Sequence, residues 1–161
     1  MNLIRKKIVL NIILYFSLFA IMFAYYVELI LGHQPCNLCL LSRIPYILAT
    51  LIIVFSIFFK SFKKICFLIL SIIFFLATLL AIYHVGIEQG IISESAICES
   101  RSGLGILDKD QLLIELKNSS ISCKNVTFTI LGFSLATINT FVSFIFSLIT
   151  FNIFLKYEKK Q

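Results

Sequence analysis

Four long apolar runs divide the chain, each bounded by charged or turn-forming residues. They cover residues of about 8–31, 38–59, 65–83 and 128–155. A helix needs about 20 residues to cross the roughly 30 Å hydrocarbon layer of a bilayer. Because lipid offers no partners for backbone polar groups, each run should satisfy them internally, as a helix. The pattern predicts an all-α fold, an integral membrane four-helix bundle.

The composition agrees with this prediction. The 161 residues are 60% hydrophobic and include 17 phenylalanines. With a mean hydropathy of +1.01, the chain has too little polar surface to cover a soluble globule. The first run follows the basic residues 5–7, as in a signal peptide, but it is longer than the usual apolar region and no A-x-A cleavage site follows. We interpret it as a retained first helix of a single membrane domain, residues 1–161.

The charges predict how the bundle is oriented. Nine of the 14 basic residues lie on one side of the four runs: Arg5, Lys6, Lys7, Lys60, Lys63, Lys64, Lys156, Lys159 and Lys160. By the positive-inside rule, both termini and the short middle loop face the cytoplasm, and the loops at about 32–40 and 84–127 face outward. Because the basic residues flank the spans and form no single patch, the net charge of +6 does not indicate nucleic-acid binding.

The cysteines follow the same division. Cys36, Cys39, Cys98 and Cys123 lie in the two outward loops. Cys66 lies at the cytoplasmic start of the third run and is interpreted as a small apolar residue. Disulfides persist in the periplasm and other oxidising compartments but not in the cytosol. The even number of outer cysteines therefore favours two outer pairs.

The close pair stands next to a cation. Cys36, Cys39 and Arg43 are at i, i+3 and i+7, which predicts two thiols and a guanidinium on one helix face at the start of the second run. A cation and a helix N-terminus both favour the thiolate, the form that attacks disulfides. A structural bridge or half of a zinc site are alternatives, but the other two outer cysteines are 25 positions apart, so no metal is expected. A thioredoxin domain is excluded because no βαβ unit fits between the runs.

The distant pair, Cys98 and Cys123, encloses a stretch rich in turn formers with a short helical candidate at Asp108–Lys117. A structural staple is one interpretation, and closing a loop of this size stabilises a fold by roughly 3 kcal/mol in the chain-entropy model. A staple does not explain the second pair on the same side of the membrane. A mobile outer pair that accepts electrons from a soluble protein and passes them to a fixed inner pair explains both.

The order of these motifs resembles the bacterial disulfide bond formation protein B family, DsbB, over nearly the whole chain. The resemblance is carried by Pro35-Cys36-x-x-Cys39, Arg43, Ile44-Pro45-Tyr46, Tyr83-His84, Cys98, Cys123, Gly132 and Asn139. Many members of that family have tryptophan shortly after the last loop cysteine, where this chain has Phe128. Any role of an indole N–H therefore does not apply here.

The resemblance implies an inner-membrane enzyme that reoxidises a periplasmic thiol oxidase of the DsbA type and passes the electrons to ubiquinone or menaquinone from the membrane pool. By position, Cys98 would form the mixed disulfide with the partner, and Cys123 would be its mate. Cys36 and Cys39 would form the second redox-active disulfide, which faces the quinone. Cys39 would be the thiolate in contact with the quinone, and Arg43 would stabilise both that thiolate and the quinone oxygens.

His84 is a further candidate for the quinone site, because quinone reduction consumes protons and histidine titrates near neutral pH. It stands four residues before Glu88 and is expected to pair with it.

Four further residues have structural interpretations. We interpret Glu28 as an interfacial carboxylate and Asn139 as a residue that joins helices by a hydrogen bond. Tyr46 belongs either to an aromatic belt or to the wall of a quinone pocket, and the same alternatives apply to Tyr83.

Two other functions fit parts of the sequence. A quinone-linked reductase of the vitamin K epoxide reductase type shares a four-helix plan, but its quinone-facing C-x-x-C lies late in the bundle, whereas Cys36 and Cys39 precede the second run. A non-catalytic membrane subunit with a structural disulfide would need only the staple between Cys98 and Cys123.

Overall fold

The computed structural model of the chain describes residues 3–33, 35–59, 63–93, 98, 123, 129–130 and 132–158. Within them, four helical segments are long and apolar enough to cross a membrane: Lys6–Leu29, Asn37–Phe58, Lys63–Glu88 and Leu135–Tyr157. The predicted all-α, four-helix membrane fold is confirmed. The orientation of the spans, with both termini in the cytoplasm, stays a prediction.

The described residues form five helices and two short strands. In chain order they are α1 (Leu3–Leu29), α2 (Asn37–Leu41), α3 (Ile44–Phe58), α4 (Lys63–Glu88), the strands β1 (Thr129–Ile130) and β2 (Phe133–Ser134), and α5 (Leu135–Glu158).

The second span is two helices, not the single one that its apolar pattern predicts. Pro45, the second residue of α3, has no N–H, and in a continuous helix its ring would clash with the carbonyl of Leu41. The N–H and the hydroxyl of Ser42 both donate to the carbonyl of Leu38, at 2.9 and 2.8 Å, and close the preceding turn. The cysteine motif therefore has a short helix of its own, α2.

The third span is longer than its apolar run. The run ends at Tyr83, but α4 continues to Glu88 and stops where Gly90 takes a φ of 72°. The N–H of Gly90 donates to the carbonyl of Ile87 at 2.9 Å, as expected for a glycine that ends a helix in the left-handed conformation. This last turn keeps His84 on a rigid helix at the end of the span.

One aromatic cluster joins all four spans. Phe146 of α5 meets Phe16 of α1 and Phe74 of α4 edge-on, with ring centroids 5.2 Å apart in each case. Tyr46 of α3 packs on Phe74 with centroids 6.1 Å apart. Edge-to-face aromatic pairs add about 0.5–1.5 kcal/mol beyond the area that they bury. The cluster fixes the middle of the bundle. Cys36, Arg43 and His84, discussed below, lie closer to the ends of the spans.

A small hairpin leads into the fourth span. Strands β1 and β2 pair antiparallel, and Gly132 between them has a φ of 85°. Ser134 then begins α5, where its hydroxyl accepts the N–H of Thr137 at 3.2 Å. This is the usual capping geometry at a helix N-terminus.

The outer pair forms a disulfide. Cys98 and Cys123 are both buried and bonded to each other, with their Cα atoms 5.4 Å apart. The helix predicted at 108–117 and Phe128 lie outside the described residues.

Candidate redox site

The close cysteine pair occupies the N-terminus of α2. Cys36 is the residue just before the helix, and its sulfur accepts the N–H of Cys39 at 3.3 Å. The two sulfurs lie 2.9 Å apart as free thiols, and Cys36 is only 6% exposed. Forming a disulfide of about 2.05 Å therefore needs a relative movement of less than about 1 Å. The pair is placed for reversible oxidation.

A histidine from the opposite helix completes the group. Nε2 of His84 lies 3.5 Å from Sγ of Cys36, and His84 is 3% exposed. The same nitrogen lies 3.7 Å from Oε1 of Glu88, so the expected approach of these two side chains is present. Oε2 of Glu88 accepts the hydroxyl of Ser134 at 2.5 Å. A line of polar side chains thus runs from the start of α5, through α4, to Cys36.

This environment stabilises the thiolate of Cys36. The hydrogen bond with the Cys39 thiol, supported by the His84 ring and by the N–H of Cys39, lowers the pKa of Cys36 to about 4, although burial acts in the opposite direction. At neutral pH the charge of the reduced pair therefore lies on Cys36. The family resemblance assigns the quinone-contacting thiolate to Cys39, and that assignment stays a prediction.

Arg43 is positioned by α1 and not by the cysteines. Its Nη1 donates to Oε2 of Glu28 at 2.7 Å, and its guanidinium lies 5.0 Å from the ring centroid of Tyr25. Arg43 lies in the turn between α2 and α3, and both Arg43 and Cys39 border the cavity described next. Glu28, expected to be interfacial, is the ion-pair partner of Arg43. Opposite charges at the facing ends of the first two spans were the sequence signal for this contact.

A cavity of about 510 Å³ lies beside the thiols, between α1, α3, α4 and α5. Its wall is mainly apolar, with polar side chains from the second, third and fourth spans and from the loop before α2. The lining includes Phe16, Phe19, Phe23, Val27, His33, Pro35, Cys39, Ser42, Arg43, Tyr46, His84, Ala136, Asn139 and Val142. The structure therefore brings three predicted site residues, Cys39, Arg43 and His84, to one cavity.

A hydrogen-bonded group joins α3 to α5 at the wall of this cavity. The hydroxyl of Tyr46 donates to Oδ1 of Asn139 at 2.6 Å, and the hydroxyl of Ser143 donates to the same oxygen at 3.2 Å. The helix-joining interpretation of Asn139 is confirmed. Tyr46 lines the cavity, whereas Tyr83 packs against the cysteines and is not part of the wall.

The two cysteine pairs meet in one apolar cluster. Its buried members are Cys36, Leu38, Ile87, Cys98 and Cys123, and Cys39 packs against them. The sequence predicted that both pairs lie on one side of the membrane, but not that they share one cluster, because 59 residues separate Cys39 from Cys98 and no local pattern reports such an arrangement. The close pair thus has the disulfide on one side and the cavity on the other.

Comparison with known proteins agrees with these features. The family model described as disulfide bond formation protein DsbB matches residues 6–153. An uncharacterized protein of Rickettsia prowazekii (strain Madrid E) is 29% identical over 161 residues, covering 98% of this chain and 92% of that protein. No solved structure matches the chain. The family match includes both cysteine pairs, Arg43 and His84.

Proposed function

Because the chain belongs to the disulfide bond formation protein DsbB family, a family of disulfide oxidoreductase type, we propose that it is a quinone-dependent thiol oxidase of the bacterial inner membrane. It reoxidises a periplasmic DsbA-type dithiol oxidase and passes two electrons through its two cysteine pairs to ubiquinone or menaquinone. The observation that supports this most directly is the packing of both pairs into one cluster beside an apolar cavity.

The first step is thiol–disulfide exchange at the outer pair. A thiolate of the partner attacks Sγ of Cys98, breaks the bond to Cys123 and forms a mixed disulfide. The second thiol of the partner then resolves this bond. The partner leaves as a disulfide, and Cys98 and Cys123 keep two electrons and two protons as thiols. The disulfide between these residues is the form that this step requires.

The second step moves the electrons to the close pair. A thiolate of the reduced outer pair attacks the disulfide between Cys36 and Cys39, and a further exchange restores the outer disulfide. The product has free thiols at Cys36 and Cys39 and a bond between Cys98 and Cys123, which is the distribution in the structure. Because both pairs share one cluster, the exchange needs no long movement of the inner pair.

The cavity would hold the electron acceptor. Its volume of about 510 Å³ is in the range of small-molecule sites, and its apolar wall suits an aromatic head group. Arg43 has further N–H donors for carbonyl oxygens beside the one that binds Glu28, and Cys39 lies in the same wall. A bound quinone takes up two electrons and two protons and leaves as a quinol.

His84 connects the thiols with the cavity. It lies 3.5 Å from Cys36 and also lines the cavity wall. When the inner disulfide forms again, the Cys36 thiolate and the Cys39 thiol lose two electrons and one proton, and water supplies the second proton of the quinol. His84 takes a proton from the pair and releases it toward the cavity, as a general base and then a general acid. Glu88, 3.7 Å away, stabilises the protonated ring.

The energetics favour a quinone as the acceptor. A DsbA-type oxidase is a strong oxidant, with a potential of about −120 mV. Only a stronger oxidant can restore its disulfide. A lipid-soluble quinone reaches a site between membrane helices, which a soluble oxidant does not.

The test is oxidation of the purified, reduced protein by a soluble quinone, followed by a count of free thiols. With quinone in excess, we expect all four outer cysteines to become disulfides, whereas Cys66 remains a thiol. Outer cysteines that stay reduced would reject the relay and favour the non-catalytic subunit.

Variants separate the two pairs. In Cys36→Ser, the outer cysteines should stay reduced in quinone, because no inner disulfide can form to accept their electrons. Cys66→Ser is the matched control, since this thiol is buried near the other end of α4, and it should behave as the wild type. Trapping a mixed disulfide with Cys123→Ser would then identify the periplasmic partner.

A further inference from the structure

The reduced inner pair and His84 form a ligand set for a soft divalent cation. Sγ of Cys36, Sγ of Cys39 and Nε2 of His84 all lie within 4.8 Å of one another. Two thiolates with one imidazole are among the preferred ligands of Zn²⁺. The three groups come from two elements, because 48 positions separate Cys36 from His84. The fold itself, and not only the C-x-x-C spacing, assembles the set.

The geometry needs one adjustment to hold a metal. Zn–S bonds of about 2.3 Å at tetrahedral angles put two sulfurs roughly 3.8 Å apart, whereas these sulfurs are 2.9 Å apart. The distance of 3.5 Å from Cys36 to His84 already suits two ligands of one ion. Cys39 is only half-buried and borders the cavity, so its side chain has space to move.

A fourth ligand is also near. Oε1 of Glu88 lies 3.7 Å from the coordinating nitrogen of His84, and its side chain is 11% exposed. Either this carboxylate or a water molecule on the cavity side can complete a tetrahedron. Two thiolates neutralise the double charge of the ion, which makes its burial among apolar residues less costly.

We infer that the reduced form of the inner pair, together with His84, binds one Zn²⁺ and is thereby withdrawn from electron transfer. The Cys39 thiol loses its proton, the two thiolates form two Zn–S bonds, and no electrons move. The disulfide form has no thiolates to offer, so binding is confined to the reduced protein. Binding itself does not depend on the proposed function; only its inhibitory effect does.

The experiment uses the full chain in detergent with Cys66, Cys98 and Cys123 replaced by serine, so that Cys36 and Cys39 are its only thiols. Zn²⁺ alone is titrated against a chromophoric zinc indicator, without quinone. We expect one equivalent to bind to the reduced protein and none to the protein oxidised beforehand. Equal binding in both redox states, or none in the reduced state, would overturn the inference.

Histidine variants test the third ligand. His84→Ala should weaken binding by at least about 10-fold, a loss typical even of residues that only support a metal ligand. His33→Ala is the matched control, because His33 lines the same cavity outside the ligand set. Unchanged affinity in His84→Ala would remove His84 from the site. X-ray absorption at the zinc edge tests the same ligand in the reduced protein without a variant. A spectrum without imidazole scattering would likewise remove His84 from the site.

The functional consequence is measured separately. Zn²⁺ should slow quinone-dependent oxidation of the wild-type thiols, and a chelator should restore the rate. A protein that binds zinc but never reacts with quinone would contradict the proposed function and leave the metal site intact. A protein that reacts with quinone but binds no zinc would overturn the metal site and leave the proposed function intact.

Discussion

At the scale of single residues, the position of the negative charge decides how the inner pair works. Cys36 is held by a neighbouring thiol, a backbone N–H and an imidazole, whereas Cys39 borders the cavity. The proposed function therefore gives the two cysteines different tasks in the reduced state. One stores the charge in a shielded place, and the other faces the space where an acceptor would bind.

The charge on Cys36 predicts an unusual pH profile. Because the pKa of Cys36 is lowered to about 4, its thiolate should persist as the pH falls and should disappear only as the pH drops through about 4. An ordinary thiol would lose its thiolate below about pH 8.5. Ultraviolet thiolate absorbance measures this in Cys66→Ser, with the outer disulfide kept intact.

Three variants check the causes of that profile. Cys39→Ala removes the largest contribution and should raise the midpoint most, and His84→Ala should raise it less. Cys36→Ser should show no acidic transition at all. A midpoint near 9 in the parent protein would mean that the contacts seen here do not hold the charge.

Arg43 predicts a defect in acceptor binding. In Arg43→Ala the KM for a soluble quinone should rise about 10- to 100-fold, the scale of a lost hydrogen bond to a charged group. Thiol exchange at the outer pair should be retained, since Arg43 contacts none of those cysteines among its described partners. The measurement is quinone reduction at several quinone concentrations.

The matched controls for Arg43→Ala are Arg43→Lys and Glu28→Gln. The lysine keeps the charge but loses the planar fork, so an intermediate KM is expected. Glu28→Gln leaves Arg43 intact but weakens the 2.7 Å contact that places it, so KM should change less than in Arg43→Ala. Unchanged quinone kinetics in all three variants would exclude Arg43 from the acceptor site.

At the scale of elements, hydrophobicity predicts the number and order of spans but not their internal breaks. Pro45 lies in an apolar run, so the pattern gave no sign that α2 ends before it. His84 and Glu88 end the apolar pattern, yet the helix continues until Gly90 supplies the backbone conformation that stops it. Hydrophobicity follows the lipid boundary, whereas helix ends follow backbone hydrogen bonding, and the two need not coincide.

The candidate site was also only partly predictable from the sequence. Residue type and spacing identified Cys39, Arg43 and His84 as site residues, and all three line the cavity. The opposite charges of Glu28 and Arg43 indicated only that the two could pair, and nothing in the sequence indicated that Cys36 shares a cluster with the outer disulfide. Those contacts depend on how the spans are rotated against each other. Packing between helices sets that rotation, and hydropathy alone does not determine it.

The contact between α3 and α5 predicts a measurable coupling. Tyr46→Phe and Asn139→Ala each remove one partner of the 2.6 Å hydrogen bond between these helices. In a double-mutant cycle the coupling free energy should be about 0.6–1.7 kcal/mol, the range for such bonds in membrane proteins. Unfolding of the detergent-solubilised protein in a denaturing detergent gives the four stabilities.

The control for this cycle pairs Tyr46→Phe with Thr140→Val. Thr140 also lies on α5, but its hydroxyl donates to the carbonyl of Ala136 within the same helix, at 2.9 Å. Its coupling with Tyr46 should be near zero. A coupling of the same size in both cycles would show that the effect is not specific to the hydrogen bond with Asn139.

At the scale of the whole molecule, the fold divides a packed centre from a reactive end. The aromatic cluster fixes the four spans to one another, and the two cysteine pairs, the cavity and the two acidic partners of Arg43 and His84 lie toward the same end. The relay works only if that end faces an oxidising compartment and the quinone reaches the cavity through lipid. Orientation is therefore part of the function.

Cysteine labelling in cells tests this orientation. In a variant without the five native cysteines, Ser102→Cys in the outer loop should react with a membrane-impermeant maleimide on intact spheroplasts, because the positive-inside rule places that loop in the periplasm. Ser61→Cys in the short middle loop should react only after permeabilisation. Labelling of position 61 but not 102 from outside would put the disulfide in a reducing compartment. There it could not accept electrons from an oxidase, since reduced thiols are the resting state of the cytosol.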